Sequence, residues 1–174
     1  MQAIRLRGNL LPTQVRSARG RRRTGVSCNL CYGNRPESLS HILQQCPATA
    51  GPRLPRHNGL LEKYISCFQQ KRYHTRCKAA VPSVAGVRYS DIICWKQNQS
   101  HVIDVQVVAD AVAGSLDAAH MRKMAYYNTL DICGFVEALT GTFPISSSFT
   151  MSWRAVLALP SFNTWSSLEC QKLP

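Results

Sequence analysis

Asp91 and Asp104 each break an apolar stretch, in Tyr89-Ser90-Asp91-Ile92-Ile93-Cys94-Trp95 and His101-Val102-Ile103-Asp104-Val105-Gln106-Val107. With a turn at residues 96–99, Trp95 faces Ser100, and the same register sets the two aspartates directly opposite each other. Opposed residues on paired strands have Cβ atoms roughly 4.5–5.5 Å apart. Two like charges so close repel, and one tends to take up a proton. A divalent cation between them removes the repulsion. Mg²⁺ accepts one or two carboxylates, keeps several waters and holds phosphate oxygens, so the chemistry indicated is hydrolysis of a phosphodiester. The alternatives are a register one residue off, or one aspartate at a strand end in solvent.

Such chemistry also calls for a cation beside the scissile phosphate. Gln106, two residues after Asp104 on the same strand face, is not one. Lys123 is the candidate: on the following helix it shares a stripe with His120 and Tyr127 at i, i+3, i+7 spacing. It would orient the attacking water or steady developing charge. Arg122 is the nearest rival. Glu62, on an earlier helix, is either a further metal ligand or a surface side chain.

A second constellation is Cys28-x2-Cys31-x9-His41-x4-Cys46, three thiolates and one imidazole within nineteen residues. Zinc takes four such ligands in a tetrahedron, and a Cys-x2-Cys turn supplies two from one knuckle. Pro36 suits the first turn of a short helix, with His41 and Cys46 coming from that helix and its end. A segment this short buries little, so bound metal would supply much of its folding energy. The other readings are a disulfide, disfavoured because nothing marks a secreted chain, and cysteines without a ligand role. Cys67, Cys77, Cys94, Cys133 and Cys170 have no ligand spacing and are expected as small core or surface residues.

The charge is lopsided. Of 174 residues, 21 are Lys or Arg and 9 are Asp or Glu; residues 1–78 carry 15 of the basic and 2 of the acidic side chains. A basic front half points to a polyanion, nucleic acid first among them. Arg16, Arg19, Arg21, Arg22 and Arg23 crowd into eight residues and are the candidate phosphate contacts. The same run also reads as a nuclear-import signal or a free arm. Apolar residues make up 45% of the chain, which argues against disorder. No run approaches the roughly 18 apolar residues of a membrane-spanning helix. A soluble intracellular protein with no membrane partner is expected.

The elements that must position these groups follow from periodicity and punctuation. Residues 1–26 read as a basic arm, 27–47 as the Cys/His module, and 48–56, with two prolines and a glycine, as a linker. An apolar stripe predicts a helix over 57–70, and alternation predicts strands over 73–81, 87–95 and 101–108. Ser115 is a plausible N-cap for one helix running to about residue 139, stopped by Gly141. Phe149, Met151 and Trp153 alternate in a last strand, and the tail from Pro160 carries no signal. The fold class is α/β: helix, three strands, helix, strand, over residues 57–155, with a tail at 156–174.

In order, Leu-Arg-x-Asn-x-Leu-Pro-Thr (residues 6–13), the Cys/His module, Arg56-His57-Asn58, Asp91, Ile103-Asp104-Val105 and Ser152-Trp153-Arg154 resemble one group closely. It is the carboxy-terminal end of the polyprotein of site-specific non-long-terminal-repeat retrotransposons that insert into ribosomal RNA genes. The resemblance implies a CCHC zinc knuckle followed by a restriction-like endonuclease, after a reverse transcriptase in the same polyprotein. It implies a nuclear enzyme that nicks target DNA, the freed 3′-hydroxyl priming reverse transcription of the element's RNA. By the same resemblance, Asp91 and Asp104 are the acidic pair holding Mg²⁺, and Lys123 is the displaced catalytic lysine. Ser90 stands where proline is usual, a change that removes no ligand. No polymerase palm motif is present, so no polymerase activity is expected of this polypeptide, which is either a fragment or an element remnant. The rival expectation is a non-catalytic, zinc-dependent DNA- or RNA-binding module.

Overall fold

The computed structural model describes residues 11–19, 25–109 and 114–168. Arg21, Arg22, Arg23 and Cys170, with most of the segment 6–13, lie outside the described residues.

Thr13 caps a short helix α1 (Gln14–Ala18), its hydroxyl accepting from the Arg16 amide at 3.2 Å. The Cys/His segment follows, closed by an isolated bridge between Ser27 and Pro36. In place of a regular short helix it has a π-turn, His41–Gln45, in which the Cys46 amide donates to His41 O at 2.7 Å. A 3₁₀ turn, Pro47–Thr49, leads into helix α2 (Arg53–Gln70). Residues 48–56 are therefore not an irregular linker. Pro52 and Pro55 sit at the N-cap and in the first turn of α2, where their missing N–H groups break no helical bond.

Strands β1 (His74–Ser83), β2 (Gly86–Lys96) and β3 (Gln99–Val108) form an antiparallel meander. Pro82 lies inside β1, which an edge strand tolerates. Between β2 and β3, Trp95 pairs with Ser100 and Lys96 with Gln99. The expected register holds, tightened to a two-residue turn in which Gln97 takes φ 53°.

The single helix expected after β3 is two: α3 (Ser115–Tyr127) and α4 (Leu130–Thr140). Gly114, in the left-handed region at φ 76°, is the N-cap, and Ser115 is the first helical residue. The break comes at Asn128 and Thr129, where Thr129 is extended and Asp131 follows in the first turn of α4. Gly141 ends α4 at φ 77°. The chain returns in β4 (Pro144–Ser152), parallel to β3, giving the sheet order β1-β2-β3-β4. The segment beyond it is helical too: α5 spans Leu159–Ser167.

Alternation along the strands divides the core in two. On one face Leu61, Tyr64 and Phe68 of α2 pack on Ile92, Ile103, Val105 and Phe149, and Trp165 and Leu168 complete that layer. The rings of Tyr64, Phe149 and Trp165 lie 4.5–5.4 Å apart. On the other face Ile132 and Val136 of α4, with Tyr127 of α3, cover Ala79, Val81, Ile93 and Val102. Among the described residues no helix is long and apolar enough to cross a membrane.

Candidate active site and metal centre

The ladder between β2 and β3 stops at Ile92 and Ile103, so Asp91 and Asp104 are the next opposed positions, where the strands splay. On the other side of β2 the ladder skips a residue as well. Lys78, between the partners of Ile92 and Ser90, adopts φ 48°.

Asp91 uses one carboxylate oxygen as a strand would. Its Oδ2 accepts from the Val105 amide at 2.8 Å. The same oxygen lies 3.3 Å from Nε2 of His57, and that nitrogen is 2.9 Å from Val105 O. A carbonyl can only accept, so Nε2 carries the proton and His57 donates to both. Among the described residues the Asp91 contacts all use Oδ2, and Oδ1 has no hydrogen-bond partner.

Asp104 is 4% exposed. Its Oδ1 accepts from Lys123 Nζ at 3.1 Å and lies 3.3 Å from the Tyr127 hydroxyl, whose shorter bond, 2.6 Å, goes to Tyr89 O. Its Oδ2 is buried with no hydrogen-bond partner among the described residues. Burial pushes the Asp104 carboxyl above the usual range, and the Asp91 charge adds to this; Lys123 and the hydrogen bonds oppose it. Burial, then the Asp104 charge, likewise pushes the Tyr127 phenol up, keeping it a donor.

Each aspartate thus has one oxygen held by the protein and one left over. A buried, orphaned carboxylate oxygen beside a second carboxylate is costly unless a cation sits there. The pair fits a divalent ion on that ground. Both aspartates and Lys123 line a cleft of about 410 Å³, to which Arg53, Arg56 and His57 of α2 and Gln44 of the π-turn also contribute.

Gln106 also lines this cleft, but its amide nitrogen donates to Ala119 O, Ser148 Oγ and Thr150 Oγ1 at 2.7–3.2 Å, tying β3 to α3 and β4. Lys123, with its Nζ 3.1 Å from Asp104 Oδ1, is the lysine that reaches the pair. Arg122 and Glu62 are exposed and outside the cleft wall. His120, on the Lys123 stripe, points inward to Ser161 Oγ at 2.8 Å.

Reading residue types alone did not assign Arg53, Arg56, His57 or Tyr127 to this site. The first three share one face of α2 at i, i+3, i+4 spacing, a signal that was split because residues 48–56 read as a linker and His57 as the first residue of the helix.

The ligand atoms of Cys28, Cys31, His41 and Cys46 all lie within 4.8 Å of one another. Cys28 Sγ is 3.9 Å from Cys46 Sγ, and Cys31 Sγ is 3.4 Å from His41 Nε2. Zinc–ligand bonds of about 2.0–2.3 Å in a tetrahedron give edges of roughly that length, so the donor set fits zinc. Arg16 lies on α1, and Arg19 is exposed at its end.

The fold and its sites define a mixed α/β protein with a restriction-endonuclease-like core and a zinc-knuckle-type Cys₃His cluster. No protein-family model matches the chain. It is 34% identical over 159 residues to the retrovirus-related Pol polyprotein of the type-2 retrotransposable element R2DM of Drosophila melanogaster, covering 90% of this chain and 15% of that protein. The corresponding R2 polyprotein of Nasonia vitripennis is 36% identical over 68% of this chain and 11% of its own length. That of Popillia japonica is 28% identical over 95% and 32%. The chain is homologous to R2 retrotransposon Pol polyproteins, the group its motifs resemble, and spans a third or less of each of these three relatives.

Proposed function

We propose that this chain is the endonuclease portion of an R2-type polyprotein, hydrolysing a phosphodiester of target DNA with Mg²⁺ to leave the primer for reverse transcription. The observation that supports it best is the pair Asp91 and Asp104, opposed where two strands splay, each with a free oxygen, and with Lys123 Nζ on the second.

Asp91 and Asp104 would hold the ion, which when bound polarises the phosphodiester and acidifies its water. Lys123 neutralises Asp104 and presents its ammonium to the charge that develops on the phosphate. His57 fixes the Asp91 carboxylate. Arg53 and Arg56 put guanidinium charge on the lining of the same cleft, where a phosphate backbone would pass. Cys28, Cys31, His41 and Cys46 would hold zinc with four protein ligands, and such a zinc would be structural. The basic residues Arg16, Arg19, Arg21, Arg22 and Arg23 would grip target DNA or the element's RNA through phosphates. The partner in the same polyprotein would be its reverse transcriptase, and the working compartment the nucleus.

Nicking of a supercoiled plasmid carrying the ribosomal RNA gene target tests this. The wild type should nick with Mg²⁺ or Mn²⁺, and Asp104→Asn should fall to background while binding the same DNA. Equal products from both proteins would remove the enzymatic reading and leave a nucleic-acid-binding module.

A further inference from the structure

We propose, resting on the endonuclease reading above, that the zinc-clipped segment positions the cleavage site through Arg53, Arg56 and His57, and does not act only as a nucleic-acid grip. The contacts form one chain. Arg53 donates to Gln44 O, and through Nη2 to Cys46 O at 2.8 Å. Arg56 Nη2 donates to Leu43 O at 3.3 Å. The Gln44 amide, oriented to satisfy both its ends, accepts from Arg56 Nη2 at 3.0 Å and donates to Val107 O of β3 at 3.2 Å. The Leu43 and Gln44 carbonyls lie between His41 and Cys46, two of the four zinc-site residues, at the end of the π-turn, and Cys46 O also accepts from the Thr49 amide at 3.1 Å.

The other end of the chain is the carboxylate pair. Helix α2 has no side-chain cap at Pro52, and its first turn is tied down by the Arg53 amide on Ala50 O at 3.1 Å and by these arginine side-chain bonds. His57 follows Arg56 and spans Val105 O and Asp91 Oδ2. Without zinc, His41 and Cys46 no longer close the π-turn, the arginines lose their acceptors, and the first turn of α2 frays. Asp91 then keeps one hydrogen bond where it had two. Partners that orient a metal-ligating carboxylate set affinity by about tenfold to a hundredfold. His57, Arg53 and Arg56 are thus positioning residues.

The test is Mn²⁺ binding to the full chain without DNA, followed by electron paramagnetic resonance, with zinc content and circular dichroism measured on each protein. The wild type should bind Mn²⁺ in a form lost in Asp104→Asn. Cys31→Ser should lose zinc, and Arg53→Met/Arg56→Met should keep it; both should bind Mn²⁺ about tenfold to a hundredfold more weakly. His57→Gln, whose amide can still donate, should recover more affinity than His57→Ala. If Cys31→Ser fails to fold, the zinc-retaining arginine variant decides. A wild type that nicks, with folded variants binding Mn²⁺ as tightly as it does, would overturn the positioning role alone. A wild type that neither binds Mn²⁺ nor nicks would remove the endonuclease reading and this inference with it.

Discussion

Asp104 is buried more deeply than a carboxylate sits comfortably, and that has consequences for stability as well as chemistry. Its carboxyl is pushed above the ordinary range, so the folded state binds the proton more tightly than the unfolded chain does. The metal-free fold therefore loses stability as pH rises above about 4 through the titration of Asp104. Asp104→Asn should raise the metal-free thermal midpoint at neutral pH by about a few degrees while removing nicking. A calorimetric scan with and without Mg²⁺ checks this, and the ion should stabilise only the wild type. Lys123 lowers the same carboxyl, so Lys123→Met should reduce the nicking rate and move the acid limb of its pH profile to higher pH. An unmoved limb would detach Lys123 from Asp104. That Asp91, Asp104 and Lys123 would come together was legible because carboxylates interrupting β-branched runs, and a cation on the next helix, are visible in residue types. His57 was not, because its role depends on Val105 O, a backbone atom that no residue type announces.

Elements were legible where periodicity was clean and obscure where capping decided. The β2–β3 register followed from alternating Ile and Val residues about a polar turn, and the strands could slip only by turning that face outward. The break between α3 and α4 was hidden because residues 115–139 have helical composition throughout; Thr129, a capping residue type, was the available hint. Helix α5 lacks a strong apolar stripe in the sequence, yet supplies Trp165, 2% exposed, to the aromatic cluster. Trp165→Ala should destabilise the fold by about 3–5 kcal/mol in urea unfolding. A change below about 1 kcal/mol would mean that α5 is dispensable. The buried histidines of β3 and α3 act the other way from Asp104. Burial pushes both His101 and His120 down, so each is folded as the neutral form. Stability should fall as pH drops below about 6.5, where the unfolded chain takes up those protons. Among the described residues His101 has no hydrogen-bond partner at either ring nitrogen, so His101→Phe should blunt that acid loss, read from thermal midpoints between pH 7 and 5.

At the scale of the whole molecule the charge imbalance and the cleft belong together. Fifteen of the 21 basic residues fall within residues 1–78, the part of the chain that supplies Arg53, Arg56 and His57 to the cleft, which the two carboxylates and Lys123 also line. DNA binding should therefore be steeply salt dependent, losing about a thousandfold or more between 50 and 200 mM salt if six or more phosphates are engaged. The same slope should be found for Asp104→Asn, since that residue contacts no phosphate. A shallow slope would place the affinity elsewhere. The most direct test of the account is a crystal of the full chain grown with Mn²⁺ and measured at the manganese absorption edge. One anomalous peak should lie between Asp91 and Asp104, within about 2.1–2.2 Å of an oxygen of each. Manganese found elsewhere, or the two carboxylates turned to separate surroundings with no shared ion, would contradict it.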